Sequence, residues 1–123
     1  VALKSIRIVN SANFNFENAL HFVLGRFLFL FGQDDQCSPP EVPQNIIHHI
    51  FSQAKTKPSY EIATLDGMGH LIELPNCPPV SISNHMLFPR DQVNMGGSNI
   101  NLHSAGQLTA WGKLLDFFQT ALC

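Results

Sequence analysis

Charged residues are scarce in this sequence. Only 13% of its 123 residues are Asp, Glu, Lys or Arg, whereas 45% are hydrophobic. The charged share is well below the roughly 25% that soluble domains usually carry. We therefore expect much of the surface to be covered, either by the rest of a larger protein or by a partner. The net charge of −2 provides no basic surface for nucleic acid or an anionic membrane.

Cysteine pairs and long apolar runs are also lacking. The three cysteines, Cys37, Cys77 and Cys123, form no C-x-x-C motif, which argues against a disulfide framework or a zinc site. The start has no signal-peptide pattern, so we expect an intracellular protein, without distinguishing cytosol, peroxisome and mitochondrion. The longest apolar run, Phe27–Phe31, is far shorter than the roughly 20 residues of a membrane helix, so no membrane span is predicted.

The hydrophobic pattern predicts an α/β fold. Phe27–Phe31 is continuously apolar, which is typical of a strand covered on both faces. A helix is predicted from near Pro43 to Lys55 and a second strand over Tyr60–Leu65. Pro75–Leu102 is predicted as a long loop, and an amphipathic helix is predicted over about Ala105–Leu122. A strand, a helix and a second strand in this order imply a parallel strand pair with a right-handed crossover. The predicted elements together are typical of the end of a larger α/β fold.

An acid and a histidine follow the two predicted strands. Asp34 and Asp35 come directly after the first strand, and His70 comes in the turn after the second. The carboxyl ends of neighbouring parallel strands lie on one rim, where ligands bind in open α/β sheets. In the catalytic triad of α/β-hydrolases, too, the acid comes before the His in the chain, as the last two of the three members. The competing interpretation is an Asp that caps the next helix and a loop His bonded to backbone.

Three blocks of residues resemble one enzyme family. Phe27–Asp35 closely resembles the acid-bearing segment of the acyl-CoA thioesterases related to bile acid-CoA:amino acid N-acyltransferase, and Gly69–Pro75 resembles their catalytic-His segment. Their C-terminal helix segment is similar to a third block, made of Gly96-Gly97, His103, Gln107, Ala110-Trp111 and Phe117-Phe118. The resemblance implies that 27–123 is the C-terminal part of an α/β-hydrolase domain, preceded by a poorly matching linker or insertion at 1–26.

The resemblance also implies a site. Asp35 corresponds to the family's catalytic acid and His70 to its catalytic His, with Gly69 and Glu73 in support. Glu73 either orients the loop or is an ordinary rim carboxylate. Family members hydrolyse acyl-CoA to the free acid and CoA, or pass the acyl group to an amino acid, through an acyl-enzyme on Ser or Cys. The expected substrate is thus a coenzyme A thioester, with no further cofactor and no metal.

The family's nucleophile is not found in the sequence. No G-x-S-x-G elbow occurs, nor a Cys version of it, so we expect the nucleophile in a missing N-terminal part of the same protein, and we expect this chain alone to be inactive. The first hypothesis is an acyl-CoA thioesterase in fatty acid metabolism. The alternatives are a bile acid-CoA or fatty acyl-CoA:amino acid N-acyltransferase, and an inactive fragment or non-catalytic remnant of the fold.

Other histidines and aromatics are predicted to be structural. His48 and His49 lie within the predicted first helix without metal-ligand spacing. His85 is predicted to be a surface residue of the long loop. His103 is placed near the start of the last helix, where a structural role is expected, and Trp111 is expected in the core.

Overall fold

A parallel strand pair with a crossover helix forms the centre of the fold. The structure, a computed structural model, describes residues 25–84 and 90–122. Strand β1 (Arg26–Gly32) is followed by helix α1 (Glu41–Gln53) and strand β2 (Ser59–Leu65). β1 and β2 pair in parallel, with Arg26 opposite Ser59 and Gly32 opposite Leu65. The predicted α/β arrangement is confirmed at this level. The predictions for most of 1–26, for His85 and for Cys123 lie outside the described residues.

Helix α1 begins at Glu41, before the predicted start near Pro43. That prediction was wrong because the first four N–H groups of a helix have no acceptor within it, so a proline there removes no bond. The next residue, Gln44, donates its N–H to Pro40 O over 3.1 Å. The helix ends at Gln53 rather than Lys55, because Ala54 has an extended backbone.

One aromatic side chain holds α1 on the strands. Phe51 is 7% exposed and meets Phe27 and Phe29 edge to face, with ring centroids 5.2 and 5.6 Å apart. On the other side its ring lies 4.5 Å from that of Tyr60. The other apolar side chains of this helix are less covered, and Ile46 is 52% exposed.

The predicted long loop contains regular structure. Strands β3 (Ile82–Asn84) and β4 (Gln92–Asn94) pair in an antiparallel manner, and helix α2 (Ile100–Leu122) begins before the predicted Ala105. Asn99 explains this early start, because its Oδ1 accepts from the N–H groups of Asn101 and Leu102, at 3.0 and 3.3 Å. Strands of three residues are too short to produce a readable alternation.

Helix α2 covers the carboxyl end of the strand pair. Leu65 at the end of β2, Met68 in the following turn and Ala110 on α2 form one buried cluster, against which Leu30 of β1 packs. Met68 and Ala110 have no exposed surface. This packing places α2 directly beside the turn that leads to His70. Neither helix in the described ranges has the length and apolar character needed to cross a membrane.

Candidate functional site

The two strand ends bring Asp35 and His70 together. Nδ1 of the His70 ring lies 2.8 Å from Oδ2 of Asp35. The Asp35 side chain is 11% exposed and that of His70 is 38% exposed. The carboxylate is therefore largely shielded from water, while the imidazole reaches the surface.

Backbone donors orient the Asp35 carboxylate. Its Oδ1 accepts from the N–H groups of Cys37 and Ser38, each at 2.9 Å, which leaves Oδ2 for His70. With Nδ1 donating its hydrogen to the carboxylate, Nε2 of the ring is left with a lone pair that can accept a proton. Asp35 thus also makes the local turn contacts of the competing interpretation, but these accompany its pairing with His70 rather than replacing it.

The turn before His70 requires close packing of backbone. Gly67 has a φ of +65°, as expected for a glycine turn. Gly69 has no positive φ, so its backbone angles do not require a glycine. A Cβ on Gly69 would instead collide with the Gly97 nitrogen and the Met95 carbonyl oxygen. This close approach allows His70 N–H to donate to Met95 O over 2.8 Å.

Asp34 faces a different partner from Asp35. Its carboxylate accepts from the backbone N–H and the hydroxyl of Ser98. These two bonds, the backbone one first, lower the pKa of Asp34. Of the two neighbouring acids, Asp35 is therefore the one bonded to the His70 ring, and Asp34 fixes the segment ahead of α2.

Glu73 holds the segment that follows His70. Its Oε1 accepts from Val80 N–H over 2.8 Å, and its Oε2 accepts from the Gln107 amide over 2.9 Å. Its backbone carbonyl accepts from the Trp111 indole over 2.7 Å. Through these bonds Glu73 ties the loop to α2, and no hydrogen bond joins it to His70 among the described residues.

Cys37 is a neighbour of the pair that the sequence did not reveal. One ligand atom each from Asp35, Cys37 and His70 lie within 4.8 Å of one another. The Cys37 thiol donates to Asn94 O over 3.3 Å, and burial, followed by the charge of Asp35, raises its pKa. A metal ion here would have to displace the Asp35–His70 bond and deprotonate this thiol, so the donor set fits a metal poorly. Cys37 lies two residues after Asp35 in the chain, and the bond to Asn94 at the end of β4 holds its thiol.

Comparison with known proteins identifies the family. The sequence model of the family described as "BAAT / Acyl-CoA thioester hydrolase C terminal" matches residues 6–123. The chain belongs to this family. This member of the thioester hydrolase C-terminal family is also similar to a peroxisomal succinyl-coenzyme A thioesterase of Mus musculus, with 33% identity over 94 residues that cover 76% of the chain. The match spans 22% of the mouse protein, about a fifth of its length. The family resemblance read from the three sequence blocks is confirmed.

Proposed function

We propose that this chain supplies the acid and the base of an acyl-CoA thioesterase, with the nucleophile in an N-terminal part of the same protein. The observation that carries the proposal is the 2.8 Å bond between His70 Nδ1 and Asp35 Oδ2, at the ends of two adjacent parallel strands. The parallel pair, its crossover helix and α2 are consistent with the C-terminal portion of an α/β-hydrolase fold.

His70 would act as a proton carrier in both halves of the reaction. As the nucleophile attacks the thioester carbonyl carbon, Nε2 takes its proton, and Asp35 stabilises the imidazolium that results. When the C–S bond breaks, Nε2–H protonates the departing CoA sulfur and the acyl group stays on the nucleophile. Water then attacks the acyl-enzyme with Nε2 again as base, and the proton returns to the nucleophile as the free acid leaves.

The substrate class follows from the family rather than from a pocket. The family description names acyl-CoA thioester hydrolysis, and the mouse relative is named for succinyl-coenzyme A. We propose a coenzyme A thioester as the substrate, no further cofactor, and an intracellular location. Hydrolysis is favoured over transfer to an amino acid because the mouse relative is named as a thioesterase.

The test is an activity assay on the protein in which this chain follows its nucleophile-bearing segment. Release of CoA from acyl-CoA thioesters of several chain lengths is followed with a thiol-reactive dye. We expect His70→Ala and Asp35→Asn to lower kcat, the latter by on the order of 10⁴, because an Asn amide holds the imidazole in the wrong tautomer. Analysis of the acyl product by mass spectrometry, with amino acids present, separates hydrolysis from N-acyl transfer.

Matched controls come from the same chain. His48→Ala removes a histidine that bonds to Tyr60, and Asp66→Asn changes an exposed acid, so both should leave kcat unchanged. Asp34→Asn should cost far less activity than Asp35→Asn, because Asp34 bonds to Ser98 rather than to the His70 ring. If Asp34→Asn were the crippling change, the assignment of the acid would be wrong by one residue. If neither mattered, the triad proposal would be rejected.

A further inference from the structure

A buried histidine on α2 bonds to the residue just before His70. The backbone N–H of Gly69 donates to Nδ1 of His103 over 3.0 Å. His103 has no exposed surface, and Gly69 is also buried. Water therefore cannot replace this acceptor, and an unpaired N–H here would carry its full desolvation cost.

The bond also fixes the state of the His103 ring. A backbone N–H can only donate, so Nδ1 must hold a lone pair and the ring hydrogen lies on Nε2. On that side of the ring the acceptor is Oε2 of Glu73, 3.7 Å from Nε2. The amide nitrogen of Gln107 lies 3.1 Å from Nε2 and donates to the same Glu73 oxygen. A polar side chain that has no acceptor atom at the position of Nδ1 could not accept the hydrogen bond from the Gly69 N–H.

Three turns of α2 contact the same short segment. His103, Gln107 and Trp111 follow one another at intervals of four, so they share one face of the helix. His103 holds Gly69, while Gln107 and Trp111 hold Glu73. His70 lies between these two anchored residues, and its ring is aimed at Asp35 from a segment fastened at both ends.

We propose that His103 is a positioning residue: its Nδ1 fixes the Gly69 peptide and thereby sets the His70 ring in hydrogen-bonding distance of Asp35. His103 itself touches neither substrate nor reacting atoms. The effect of His103 on catalysis rests on the proposed function, because it requires that His70 transfers protons. The effect of His103 on the His70–Asp35 hydrogen bond does not, because that bond can be observed whether or not a thioester is hydrolysed.

The test compares two substitutions that differ in one property. His103→Leu removes the acceptor, whereas His103→Asn keeps an acceptor oxygen attached to Cγ, as Nδ1 is. Nitrogen-15 NMR on the longer, nucleophile-bearing protein reports which His70 nitrogen carries hydrogen. We expect His103→Leu to abolish the Nδ1–H preference that Asp35 imposes, and His103→Asn to retain it. His48→Leu is the matched control. His48 lies on α1, away from the Asp35–His70 pair, so this substitution should leave the His70 tautomer unchanged.

Kinetics on the longer, nucleophile-bearing protein provide the second readout. We expect His103→Leu to lower kcat by up to about 100-fold, as for an ångström-scale misplacement. We expect KM to change little, and His103→Asn to restore most of kcat.

An unaltered His70 tautomer in folded His103→Leu would overturn the proposal. If His103→Leu does not fold, His103→Asn decides: retention of the tautomer supports the role, and loss of it or of folding overturns it. Absence of hydrolysis in the unsubstituted protein would reject the proposed function and leave the NMR result standing.

Discussion

Asp34 and Asp35 are adjacent in the chain but are held by different groups. Asp35 bonds to Cys37 and Ser38 through one oxygen and to His70 through the other. The Asp34 carboxylate accepts chiefly from Ser98, ahead of α2, and also from the Gln36 amide. Two adjacent carboxylates therefore make different contacts: that of Asp35 pairs with the His70 ring, and that of Asp34 holds the segment ahead of α2.

The Asp34–Ser98 contact should make the fold sensitive to acid. Because these bonds lower the pKa of Asp34 in the folded chain, its charged form stabilises the fold above the pKa it has when unfolded. That stabilisation should fade as the pH falls below about 4. We expect Asp34→Asn to reduce the free energy of unfolding at pH 7 and to have a smaller effect at pH 3. Urea titrations at both values test this.

The exposed Asp66→Asn variant is the control for that comparison, since Asp66 lies outside the Ser98 contact. A destabilisation by Asp34→Asn that stays constant between the two pH values would contradict the assignment of charge to this contact.

At the scale of whole elements, α1 depends on one side chain. Phe51 is buried among Phe27, Phe29 and Tyr60, whereas Ile46 on the same helix is 52% exposed. Phe51→Ala should cost about 3–5 kcal/mol of unfolding free energy through lost burial and a cavity. Ile46→Ala should stay within about 0.5 kcal/mol. Circular dichroism during urea unfolding of the longer, nucleophile-bearing protein measures both, and equal effects would mean that the helix packs through a different face.

The elements that could be predicted were those with strong patterns. The strand–helix–strand pattern and the order of acid and His were enough to predict the parallel pair and the meeting of an acid with His70. The choice of Asp35 over Asp34 came from the family resemblance. The contacts of Asn94 with the Cys37 thiol and of Ser98 with Asp34 could not be predicted, because they depend on how β4 and the segment ahead of α2 pack against the strand ends. Their positions depend on tertiary contacts such as the docking of His70 N–H on Met95 O, for which a single sequence carries no periodic signal.

The molecule as a whole shows many apolar groups to solvent. In the described part of the chain, β1 and β2 pair only with each other. Exposed apolar side chains occur on both helices and in the loops, among them Val42, Leu74, Leu108 and Leu115, each more than half exposed. A sheet of two strands with open edges is marginal in water and prone to associate.

The isolated chain should therefore melt broadly, bind a hydrophobic dye and show no thioesterase activity. A sharp cooperative transition with little dye binding would indicate a self-contained fold. Any turnover that His70→Ala abolishes would indicate a nucleophile within the chain. Cys37 is then the first to test by substitution with serine, since its sulfur lies within 4.8 Å of a His70 ring nitrogen, with Cys77→Ser as the control.

The separation of Asp35 and His70 along the chain has a consequence during synthesis. The two residues are 35 positions apart, and ribosomes add about 5–20 residues per second. Asp35 therefore emerges roughly 2–7 s before His70, its hydrogen-bond partner. For most of that interval β1, with its run of phenylalanines, lacks its neighbour β2, and α2 emerges later still. The nascent chain is then open to capture by a chaperone, and a ribosome that stalls between the two strands leaves the β2 side of β1 unpaired.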